Sequence, residues 1–97
     1  EPWVDARVRA MMQEQGTEPF ASLALEELRR GDVRANLTTA ARILRLVGGD
    51  DEAKGLALLE RHVLGEDTNM STHAYFALVY TGRKAMADRL LALRDDG

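Results

Sequence analysis

Apolar residues recur along this chain every three or four positions, and small or polar residues interrupt them at regular intervals. That spacing sets apolar side chains on one face of an α-helix. Val4, Val8, Met11 and Met12 make the first such stripe and predict a helix over about 2–15. Phe20, Leu23, Ala24 and Leu28 make the second, after Thr17-Glu18-Pro19, where proline suits a first turn. The third helix is expected to open at Asp32, a favourable N-cap, and to turn Val33, Leu37, Ala40, Leu44 and Val47 inward. The fourth is expected to open at Asp50 or Asp51, whose charges suit the positive end of a helix dipole. Its stripe is Ala53, Leu56, Leu59 and Val63. The fifth starts between Asp67 and Ser71 and carries the apolar run from Ala74 to Tyr80. Because that run is apolar on nearly every side, this helix is expected to be the most buried. The sixth follows Gly82 with Met86, Leu90, Leu91 and Leu93. No segment alternates with the period of two that a half-buried strand requires. The expected fold is therefore all-α, with about six helices in a single domain, 1–97.

The breaks between helices have their own period. Gly31, Gly48, Gly65 and Gly82 stand 17 residues apart. Glycine is the usual residue just past a helix C-terminus, because it takes up a left-handed backbone at little cost. Two such steps make 34 residues, and the chain resembles itself at that offset. Thr38 pairs with Thr72, Ala40 with Ala74, Leu44 with Leu78 and Gly48 with Gly82. Ala53 pairs with Ala87, Leu56 with Leu90 and Leu59 with Leu93. These are the small and apolar positions that two closely packed helices need.

This order of small, apolar, glycine, alanine and apolar residues resembles a tetratricopeptide repeat or a related helical-hairpin solenoid. The resemblance is strongest over residues 77–91 and covers residues 34–97 as two hairpins. Residues 2–30 make a degenerate third, with Gly16 and Ala21 in the expected relation. The chain departs from the family in two places. The large aromatic near the start of the first helix is Leu37 in one repeat and Ser71 in the next, and the closing proline is missing. The resemblance implies three stacked antiparallel hairpins over 2–30, 32–64 and 67–95; an irregular helical bundle is the alternative.

Composition narrows the possible functions. The chain has no cysteine, which rules out disulfides, thiolate nucleophiles and cysteine-bound zinc. Its net charge is -3, with the acidic excess entirely in residues 50–97. A nucleic-acid binder shows a basic stripe, and none is present. Arginine outnumbers lysine eleven to two, which fits a GC-rich genome. No apolar run approaches the roughly 18 residues needed to span a bilayer. No basic-then-apolar signal opens the chain, so the expected compartment is the cytoplasm. Glu1 stands where an initiator Met would be, which fits a processed protein or a piece of a longer one.

No catalytic constellation emerges. His62 and His73 sit in different helices with no carboxylate spaced to share a metal, and Asp50-Asp51-Glu52 are consecutive and point apart. Gly48-Gly49 follows a helix rather than a strand, unlike a phosphate loop. Neither cofactor nor metal is expected.

The repeat resemblance instead implies a groove lined by first helices, where a partner's peptide or helix binds. In that register the groove is lined by Trp3, Ala6, Thr38, Arg42, Arg45, Asn69, Thr72, Phe76 and Tyr80. Phe76 and Tyr80 are one helical turn apart, and aromatics beside arginine make a typical binding hot spot. Arginines pair well with carboxylates, so an acidic protein segment is the expected partner. The alternative reading of Phe76 and Tyr80 is core packing; of the arginines, solvated surface. The family's carboxylate clamp needs lysine and asparagine where this chain has Thr38, Thr39, Arg42, Thr72 and His73, so chaperone-tail binding is not expected. The expected function is a non-catalytic binding module: an adaptor, a small chaperone or a regulatory subunit. A structural segment of a larger repeat protein, a self-associating domain and a helix-turn-helix regulator are the alternatives.

Overall fold

The structure is a computed structural model and describes residues 2–32 and 35–96, with side chains described from Asp5 onward. Six helices and no strand are found among these residues: α1 (Pro2–Gln15), α2 (Glu18–Arg30), α3 (Leu37–Val47), α4 (Gly49–Leu64), α5 (Thr68–Tyr80) and α6 (Lys84–Asp96). The all-α expectation is met. From α2 onward each helix packs on the next, and alternate helices also touch: α1 with α3, α3 with α5, α2 with α4 and α4 with α6. Two layers result, α1-α3-α5 and α2-α4-α6, in a body 46 Å long and 23 by 22 Å across.

The helix ends have local causes. α2 stops at Gly31, whose φ of 60° is left-handed. α3 begins at Leu37 rather than at Asp32, and Asn36 is its cap. The Asn36 side chain accepts the Thr39 N–H at 3.0 Å. The Asn36 N–H in turn donates to the Glu27 carboxylate of α2 at 2.7 Å, which fixes the entry of the chain into α3. Val33, expected on the inner face, lies outside the described residues. α5 opens at Asp67, whose carboxylate accepts the Met70 N–H at 3.1 Å.

The core runs between the layers from Ala21 to Leu90. Leu28, Leu44, Leu59, Val63, Leu78 and Leu90 are its fully buried larger side chains. On α2 the buried face is Ala21, Ala24, Leu25 and Leu28, the i, i+3, i+4, i+7 set. Leu23, expected inside, lies between those positions and is exposed. The 34-residue correspondence holds in the first layer, where Ala40, Ala74, Leu44 and Leu78 are all buried. It slips in the second: Ala87 is buried but Ala53 is exposed, and Leu59 is buried but Leu93 is exposed. The turns explain the slip. α4 starts directly after Gly48, whereas Thr81, Gly82 and Arg83 precede α6, so the two helix starts are 35 residues apart. One extra residue rotates a helix by about 100°. Gly55 therefore matches Leu90, and a methyl group at Gly55 would overlap the Leu44 side chain.

Side-chain donors close the ends of neighbouring helices. His62 Nε2 of α4 lies 2.6 Å from the Leu28 carbonyl in the last turn of α2. A carbonyl can only accept, so that nitrogen carries the proton. Arg94 of α6 donates to the Gly65 carbonyl after α4 at 3.1 Å, and Arg45 of α3 to the Thr81 carbonyl after α5 at 2.8 Å. Each donor meets the negative end of a helix dipole and a carbonyl without a partner in its own helix.

Candidate functional site

α1 and α5 flank α3 on one side of the body, and a cleft of about 610 Å³ opens between them. Asp5 and Arg9 line it from α1; Thr38, Arg42 and Arg45 from α3; Tyr80 from α5. Positions 38, 42 and 45 are spaced i, i+4, i+7, so they share one face of α3, beside its buried stripe. A second hollow of about 220 Å³ also begins at Thr38 and is lined by Asn36 and His73. The two hollows share Thr38.

Arg42 donates to the Asp5 carboxylate at 3.0 Å, and this ion pair ties α3 to α1. Arg45 spends one N–H on Thr81 and keeps its other donors for the cleft. Arg9 has no hydrogen-bond or ion-pair partner among the described residues. Three guanidinium groups therefore face one carboxylate, a local positive charge on an acidic chain.

Beside them runs an aromatic ladder. Phe76 is 44% exposed and Tyr80 is 68% exposed. Their rings stack with centroids 5.9 Å apart, and Tyr75 meets Phe76 edge-on at 5.3 Å. The core-packing reading of this pair therefore does not hold. α5 is apolar all round but has neighbours on only three sides, α3, α4 and α6. Below the ladder, the Tyr75 hydroxyl and Lys84 Nζ each donate to Asp88 at 2.6 Å. Those hydrogen bonds, that from Lys84 first, hold the Asp88 carboxyl below the usual carboxylate range. The same bonds push Tyr75 and Lys84 above their ordinary values.

Of the residues expected in the groove, Thr38, Arg42, Arg45 and Tyr80 come together in the cleft, and Phe76 joins through its stacking on Tyr80. Asn69 and Thr72 are exposed at the N-terminal end of α5, away from the cleft. Thr72 bonds its hydroxyl to the Thr68 carbonyl of its own helix at 3.0 Å. Ala6 is exposed, and the Trp3 side chain lies outside those described. Sequence reasoning missed Asp5 and Arg9. They stand one turn apart on α1, and that shared face was the available signal.

No family model, curated protein or solved structure matches this chain. Among the described residues no three histidine or acidic side chains converge as metal ligands, and no helix is long and apolar enough to cross a membrane.

Proposed function

We propose that this chain is a helical-hairpin repeat module that binds an acidic segment of a partner protein along α3. The observation that carries the reading is the cleft itself. Arg9, Arg42 and Arg45 supply charge-assisted donors, and the exposed Phe76–Tyr80 ladder supplies apolar contact next to them. An adaptor or regulatory subunit needs such a surface and no catalytic group.

The test is fluorescence anisotropy with labelled acidic, neutral and basic peptides of matched apolar content. The acidic peptide is expected to bind most tightly and to weaken as salt rises, since exposed charges are screened within about 10 Å at 0.1 M salt. Arg42→Ala and Tyr80→Ala are each expected to weaken binding about tenfold, and neither removes a core contact. Equal affinity for all three peptides would overturn the reading. So would an acidic peptide that binds both variants as it binds the native chain.

Exposed Leu93 on α6 favours a second reading, self-association through the last helix. Sedimentation velocity separates the two: Leu93→Glu would abolish a dimer formed by that face and leave peptide binding intact.

A further inference from the structure

Asp5 already presents a carboxylate to Arg42, from within the same chain. This pair is half-exposed, at 41% for Asp5 and 37% for Arg42, so an incoming group can reach it. The helix that carries Asp5 is also held differently from the rest. Met12 is the one buried residue among the described side chains of α1, and it lies outside the core cluster formed by α2 to α6. Val8 is half-buried, Met11 and Arg9 are exposed, and α3 is the main helix that α1 touches. The link to α2 is two residues, Gly16 and Thr17. Gly16 has a φ of 83°, and a side chain added there would meet open space.

We infer that α1 is a displaceable arm whose Asp5 stands in for the partner's carboxylate, and that an acidic segment engages the site by taking Arg42 from Asp5. This rests on the acidic-partner reading and adds its regulation. With Asp5 in place the site holds two open cations, Arg9 and Arg45. Once α1 leaves, it takes Arg9 with it, and Arg42 and Arg45 stand open together on α3. A partner with a single carboxylate has little to gain from the exchange. One with two carboxylates spaced to meet Arg42 and Arg45 together gains both, so the arm selects for paired acidic groups. Displacing α1 leaves the core intact, because no described α1 side chain belongs to it. Local opening of this kind needs an element with few buried contacts.

The experiment uses a short fluorescein-labelled peptide of alternating glutamate and leucine, on the full chain. Asp5→Asn keeps the shape of the side chain and removes its charge. It is expected to tighten binding about two- to fivefold, the worth of one exposed ion pair. In an Arg42→Gln background the same change is expected to do nothing. Hydrogen exchange supplies the second readout. Saturating peptide is expected to deprotect the amides of residues 6–14 while those of α3 stay slow. Asp5→Asn that binds as the native chain does, or more weakly, overturns the arm and leaves the acidic-partner reading standing. Unchanged or increased protection of α1 does the same. Absence of binding by both native and Asp5→Asn proteins overturns the acidic-partner reading, and the arm with it.

Discussion

α1 and α5 lie on either side of α3, yet opposite forces hold them. α5 sinks Met70, Ala74, Ala77 and Leu78 into the core and touches three helices. Among its described side chains, α1 offers buried Met12 and an ion pair. Burial of apolar surface does not depend on direction and is hardly affected by salt. An exposed ion pair is worth at most about 1 kcal/mol and is screened by salt. One flank of the groove is therefore built in, while the other is leaned on.

The sharpest contrast comes from the core. Leu78→Ala is expected to destabilise the whole domain by about 3 kcal/mol, read as a drop in the urea midpoint, because it empties a fully buried site. A change of less than about 1 kcal/mol would mean that α5 is no better anchored than α1.

Glycines give the next test, since Gly82 and Gly16 share nearly the same left-handed φ, 82° and 83°. Alanine at either position costs about 1–2 kcal/mol of local strain. At Gly82 the new methyl also lies 3.1 Å from Arg45 Nη1, so Gly82→Ala is expected to lower the global urea midpoint. Gly16→Ala is expected to speed hydrogen exchange in α1 and leave that midpoint nearly unchanged. Equal losses of midpoint would erase the distinction.

Trp3 is the sole tryptophan and belongs to the α1 segment, so its fluorescence reports on the arm while far-ultraviolet circular dichroism reports on all six helices. The fluorescence transition is expected at lower urea than the dichroism transition, and 1 M salt is expected to widen the gap. Coincident transitions would indicate a single cooperative unit.

The smallest effect expected is at Asp88. Its folded pKa lies below the ordinary 3.8, so the stability it brings is present above that value and is lost as pH falls through the folded one. Lys84 and Tyr75 are raised above 10.5 and 10.0, so their share is present below those values and fades as pH rises past them. Asp88→Asn is expected to flatten both limbs of the stability profile without moving the α1 transition. A shift in the fluorescence transition would mean that the ladder and the arm are coupled.

Most of the helical plan could be read from the chain, because glycine spacing and apolar period agree at the last four breaks. The start of α3 could not. Asp32 and Asn36 are both good caps, and the choice falls to Asn36 through Glu27, a residue on the preceding helix. On α4, Leu56, Leu59 and Val63 face the core as expected, and only Ala53 was misjudged, for a similar reason. A 34-residue offset fits the residue types at Ala53 and Ala87, but one residue of turn length decides which of them points inward. The cleft was half visible. Thr38, Arg42 and Arg45 lie on one strip of α3 and follow from helical spacing alone. Asp5 is 37 residues from Arg42, and nothing local announces that they meet.

The way α1 is attached also has a mechanical consequence. Among the described contacts, a pull applied on the N-terminal side loads the Asp5–Arg42 pair and Met12 before it loads the core. Under tension α1 is therefore the first element to yield, like a slack spring in series with a stiff one. Its 14 residues would lengthen from about 21 Å as helix to nearly 50 Å as extended chain. The cleft would lose one wall at that moment, and Arg42 would lose its Asp5 partner.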